Sequence, residues 1–197
     1  IVGGVEAAGL WHRAFAILLI ANLTLHFCYL AFLFFTRRCS WREWLFGPNS
    51  LLPRWKDAKD IFGMCRWFVG LGPRPTFDRW TYWEKFDYFA VFWGVAIIGS
   101  SGLILWYPTF FTRFMPGWVI NIAHIIHSDE ALLAAGFIFS IHFFNTHFRI
   151  EKFPMDTVIF SGRVSKTELM HERKRWYDRL VASGKLDQHR VRDEWFQ

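Results

Sequence analysis

Leu10–Phe35 reads LWHRAFAILLIANLTLHFCYLAFLFF, and its reading decides the fold. Apart from His12, Arg13, Asn22, Thr24 and His26 the run is apolar, and it is long enough to cross a bilayer as one helix. Thr36-Arg37-Arg38 ends it. Two further runs share its character. Phe86–Tyr107 lacks ionisable residues after Asp87, carries Gly94, Gly99, Ser100, Ser101 and Gly102, and stops at Pro108. Trp118–Phe148 holds His124, His127, Asp129, Glu130, His142 and His147. The expected fold class is an all-α membrane protein: a transmembrane helical bundle with three spans in this chain, forming part of a four-helix or larger bundle.

Composition and charge agree with that class. The chain is 53% hydrophobic with 23 Phe and 12 Trp, residues that suit lipid and membrane interfaces. The formal charge is +6, and its Lys and Arg belong almost wholly to the loops and the tail. Residues 36–85 carry ten Lys and Arg and the segment after Phe148 carries eleven, against Arg13 and Arg113 elsewhere. By the positive-inside rule, the large loop and the C-terminus are expected in the cytoplasm and the N-terminus outside. The first and third runs are then parallel. No aromatic-basic motif for RNA or DNA stands out, so no nucleic acid partner is expected. Cys28, Cys39 and Cys65 form neither CxxC nor CxxCH, which gives no disulfide framework, iron–sulfur ligand run or covalent c-haem site.

The expected organisation is a membrane domain over residues 1–160, with a cytoplasmic loop at 36–85, and a polar cytoplasmic tail over 161–197. Asp57–Val69 reads as an interfacial amphipathic helix, and Gly72-Pro-Arg-Pro75 breaks any helix there. Ser165-Lys-Thr-Glu168 fits a capping box opening a short helix. No secretory signal peptide is recognisable. The chain opens on Ile1-Val-Gly-Gly without Met, and is expected to begin inside a longer protein.

Histidines inside membrane helices are costly and usually functional. His12 and His26 are 14 residues apart, and His127 and His142 are 15 apart. On α-helices these spacings rise about 21 and 22 Å and return each pair to roughly one face. In parallel helices His12 then stands level with His127 near the outer face, and His26 level with His142 near the inner face. Two such pairs suit two non-covalent b-type haems, each iron held between two imidazoles; bis-His ligation leaves no open position and favours electron transfer. His124 pairs less well: its separation from His142 corresponds to about 27 Å, so it reads as a propionate or quinone contact. Arg13, Arg149 and Lys152 lie at helix ends, where haem propionates need counter-charges or long side chains snorkel. Asp129 and Glu130 suit either a solvated helix start or acceptance of protons released by a quinol. Gly94, Gly99 and Gly102 read first as helix packing, with room for a porphyrin face as the alternative. His147 reads as interfacial, and His171 and His189 as surface residues.

The residues assembled carry a resemblance. Trp11-His-Arg13, Phe77-Asp-Arg-Trp-Thr-Tyr-Trp-Glu-Lys-Phe-Asp-Tyr88, Ser101-Gly-Leu-Ile-Leu-Trp-Tyr-Pro108, Pro116-Gly-Trp118, His127-Ser-Asp-Glu-Ala131, His142-Phe-Phe-Asn-Thr-His-Phe148 and Phe153-Pro-Met-Asp156 span most of residues 1–160. They resemble the membrane cytochrome b subunits of respiratory complexes, the formate dehydrogenase gamma/cytochrome b-like group. The resemblance implies a di-haem electron-transfer subunit of a quinone-linked oxidoreductase in the bacterial inner membrane. It also implies a quinone or menaquinone pool, and a partner redox subunit that is a multihaem c-type cytochrome or an iron–sulfur protein. Relatives commonly have a further membrane helix before the Ile1 region, so another subunit or segment is expected to complete the bundle. The competing readings are a haem-free membrane anchor or assembly subunit, and a His-box di-iron membrane oxygenase.

Overall fold

A computed structural model describes residues 3–150 and 152–189. Among them the secondary structure is helical throughout, with no strand. The chain divides into two compact units, residues 1–41 with 89–151 and residues 42–88 with 152–197.

The first unit holds the long apolar helices. α1 (Gly4–Thr36), α4 (Tyr82–Trp106, shared with the second unit) and α6 (Trp118–Phe137) with its extension to Phe148 are long and apolar enough to cross a membrane. α1 starts earlier than the hydrophobic run because Glu6, Ala7 and Ala8 tolerate helix. None of its residues is buried, and in α6 only Ala123 is. Helices apolar on every side with so little covered surface present their side chains to lipid or to further groups in the membrane. The short α5 (Pro108–Phe111) turns the chain between α4 and α6, with Pro108 in the first turn where its missing N–H costs nothing.

Beyond Phe137 the third span is not α-helical. Ile138–His142 and Phe144–Phe148 form π-helical turns, in which Phe143 N–H bonds Ile138 O and Arg149 N–H bonds Phe144 O. The cause is written in polar side chains. Ser140 Oγ donates to Gly136 O, Asn145 Nδ2 to Ile141 O and Thr146 Oγ1 to His142 O, each at the carbonyl that an α-helical N–H would take. The widened turns shorten the expected 22 Å rise from His127 to His142. They also turn less per residue, which draws His142 nearer to the face of His127 than the roughly 60° offset of a pure α-helix.

The second unit is built on ion pairs around a small core. It contains α2 (Trp41–Phe46, beginning at the boundary), α3 (Trp55–Phe68), the first turns of α4, α7 (Val158–Ser161), α8 (Lys166–Glu172), α9 (Lys174–Ala182) and a single 3-10 turn at Asp187–His189. Phe77, Leu169 and Leu180 are its buried apolar residues. Lys85 in α4 is 1% exposed and places its Nζ 2.9 and 3.1 Å from the two carboxylate oxygens of Asp57 in α3. Asp78 receives Arg54 and Arg179, and Glu84 receives Arg173 at 2.6 Å. α4 opens on a capping box: Glu84 Oε2 accepts from Thr81 N–H at 2.8 Å, and Thr81 Oγ1 accepts from Glu84 N–H at 3.4 Å. The loop and the tail, distant in sequence, thus fold on each other. Ser165 Oγ accepts from Glu168 N–H as the sequence pattern predicts, but the Glu168 carboxylate turns to Lys152 instead of closing the box.

Candidate haem sites

The first unit brings His12 of α1 and His127 of α6 together, with ring centroids 5.8 Å apart and perpendicular ring planes. The contact is an edge-to-face ring pair, and its length is also close to that of two imidazoles sharing one metal. Bonds of about 2 Å on each side, with each ring centre ~1 Å behind its nitrogen, put an axial pair of imidazole centroids about 6 Å apart.

The His127 ring is also oriented. Its Nδ1 lies 3.0 Å from Ile98 O and 3.2 Å from Ser101 Oγ, both in α4. A carbonyl only accepts, so Nδ1 carries the proton and Nε2 presents its lone pair. Ligating histidines are characteristically held in this way, because the hydrogen bond sets the tautomer and fixes the ring. Ser101 is buried and passes its own hydroxyl proton to Ile97 O at 2.8 Å.

Gly102 makes the ring's position possible. A Cβ built there would stand 2.9 Å from His127 Cε1 and 3.3 Å from Nδ1. Without one, the imidazole lies over bare backbone and reaches the Ile98 carbonyl one turn earlier. Ile98, Ser101 and Gly102 were not expected as partners of His127; the small-residue run was the signal, and helix packing was the first reading of it. Gly102→Val is expected to displace the ring and break the Ile98 bond, at a cost of about 1–3 kcal/mol. Thermal unfolding in detergent measures this, with Gly99→Ala, whose Cβ would meet nothing within 4 Å, as the unaffected control.

His26, half-buried in α1, lies against Phe92 of α4 at 5.8 Å between centroids. Phe92 also packs on Phe27, and these aromatics edge an apolar groove of about 330 Å³ between α1 and α4. His142, half-buried in the π-helical stretch, lies beside Phe143. The pairing of His26 with His142 is carried by their register in sequence.

The remaining candidates separate. His124 is exposed on α6. Arg13 is exposed and stacks its guanidinium over Trp106 at 5.9 Å, a cation–π contact at a helix end. Arg149 closes the π-helical stretch, its backbone N–H bonded to Phe144 O at 2.9 Å. His147 packs edge-on against Phe143, and His171 is exposed in α8. The side chain of His189 lies outside the described residues. Lys152 does not fit the propionate role: it is buried in the second unit and ion-paired with Asp156, Glu168 and Glu172, so its charge is already compensated.

Asp129 and Glu130 line a groove of about 610 Å³ between α4 and α6, with Trp93, Ser100 and Ser101 on its wall. Gly94 admits Glu130, whose Oε1 would be 3.3 Å from a Cβ at that position. Among the described residues no group of three or more His, Cys, Asp or Glu side chains gathers to hold a metal ion. No family model matches the chain, and no curated protein or solved structure shows significant similarity to it.

Proposed function

We propose that this chain is a membrane-embedded b-type di-haem cytochrome subunit that carries electrons between a quinone pool and a partner redox subunit. The observation that carries the reading is the His12–His127 pair, 5.8 Å between ring centres with His127 Nδ1 fixed on Ile98 O. Two imidazoles from different membrane helices, one with its Nδ1 bonded to a carbonyl, are the side chains that would hold a haem iron from its two faces. His26 and His142 would hold the second haem from their matched register. Bound haem supplies one-electron redox chemistry.

The protein's part is to hold, orient and insulate. Ser101 and Ile98 hold Nδ1 of His127, which leaves Nε2 as the nitrogen that would bind iron. Phe27 and Phe92 exclude water beside His26. Arg13, more than two turns inside α1, and Arg149, where the third span ends, offer positive charge, and His124 a further polar contact, for propionates. Asp129 and Glu130 offer carboxylates in a groove where a quinol would give up protons. The partner is a c-type cytochrome or an iron–sulfur protein, a further membrane subunit completes the bundle, and the bacterial inner membrane is crossed with the C-terminus in the cytoplasm.

The test is a dithionite-reduced minus oxidised visible spectrum of the purified complex with pyridine haemochrome quantitation. Two b-type haems per chain are expected. A well-folded complex without b-type haem overturns the reading and leaves a haem-free anchor subunit in its place.

A further inference from the structure

α3 wears its amphipathicity inside out. Asp57 and Asp60 are 7% and 8% exposed, while Trp55, Phe62 and Val69 are 77%, 76% and 67% exposed. A helix on a water-facing surface does the reverse. The inward acids are compensated: Asp57 by Lys85, and Asp60 by Lys56 one turn earlier. The inward side also packs on protein, since a Cβ at Gly63 would meet Pro75 Cγ at 2.8 Å.

The outward side has a definite chemistry. Positions 55, 58, 62, 65 and 69 fall within an arc of about 80°, bordered by Lys59 and Arg66 on one flank. All of these residues are exposed. The helix therefore turns both carboxylates inward and presents outward an aromatic and aliphatic stripe with basic residues beside it. A contiguous exposed apolar stripe rimmed by polar residues marks a surface suited to contact with a membrane or another protein.

We propose that this face of α3 docks on an anionic lipid surface, Trp55, Phe62, Cys65 and Val69 entering the boundary between headgroups and acyl chains and Lys59 and Arg66 pairing with headgroup phosphates. Charge complementarity selects this occupant. The face is basic and apolar with its acids withdrawn, which is the pattern of helices that lie in the membrane interface. The chain itself supplies the surface, having three helices long and apolar enough to span a bilayer. The inference is independent of the haem reading.

The test uses the full chain with Cys28 and Cys39 replaced by serine and a nitroxide on the exposed Cys65, which lies within the stripe. The protein is reconstituted into phosphatidylcholine bilayers and into equimolar phosphatidylcholine and phosphatidylglycerol. In the anionic bilayer the label is expected to collide more with dissolved oxygen than with a water-soluble nickel chelate. Lys59→Gln and Arg66→Gln, on the outward side, are expected to shift the docked-to-undocked ratio by about fivefold for each charge removed. A label equally open to the chelate in both bilayers overturns the proposal. So does shielding that appears only when protein is raised relative to lipid, or only when a soluble partner is added, since the occupant is then a second copy or another protein.

Discussion

His127→Leu is expected to halve the haem content, from two b-type haems per chain to one, and His12→Leu is expected to remove the same haem. The two substitutions together should cost no more haem than either alone, because in the proposed function both imidazoles serve one iron. Pyridine haemochrome quantitation reads the stoichiometry, and a redox titration reads the loss of one of two waves. His124→Leu is the discriminating control. It lies one turn before His127 in the same helix but is exposed, and Nδ1 of His127 is the nitrogen anchored on Ile98 O. Retention of both haems in His127→Leu, or loss of one in His124→Leu, sinks the ligand assignment. A change of fold is separated from a change of ligation by His127→Gly with free imidazole added. A cavity that regains haem with the exogenous ligand has kept its shape, although Gly within the helix costs about 1 kcal/mol.

Much of this was legible in the sequence, for identifiable reasons. The three spans were readable because a bilayer demands long uninterrupted apolar runs, and no soluble context competes with that signal. The approach of His12 to His127 followed from register and charge asymmetry, neither of which needs side-chain geometry. Three features were not legible. The π-helical turns depend on Ser140, Asn145 and Thr146 taking i−4 carbonyls, and those residues equally often bond outward. The role of Gly102 depends on which face of α4 meets α6, which a run containing Gly94, Gly99 and Gly102 leaves open. The Thr81-Tyr-Trp-Glu84 box was available as a pattern, but the apolar run alone set the expected start four residues later. Lys152 misled because its position after the third apolar run says nothing about its three carboxylate partners, Asp156 ahead of α7 and Glu168 and Glu172 in α8.

Lys85→Met is expected to destabilise the fold by about 3–5 kcal/mol, the cost of leaving Asp57 as a buried carboxylate without its counter-charge. The side chains of Lys85 and Asp57 are 1% and 9% exposed, so water cannot take the place of the missing ammonium. Asp57 carries a second duty: its Oδ2 accepts from Arg54 N–H at 2.6 Å and so holds the first turn of α3. Asp57→Asn keeps that acceptor and removes the charge. The double variant Lys85→Met, Asp57→Asn should therefore recover most of the loss, because an ion pair removed whole costs far less than one cut in half. Chemical unfolding in detergent micelles, run as a double-mutant cycle, measures the coupling directly. A single-variant effect below 1 kcal/mol would show that the pair is solvated and does not anchor α3. The outcome also bears on lipid docking. The Asp57–Lys85 pair is what turns the acidic side of α3 toward α4 and leaves Trp55 and Phe62 facing out. In bilayers, the double variant should keep the Cys65 label shielded, whereas Lys85→Met alone should release it as the helix loses its anchor.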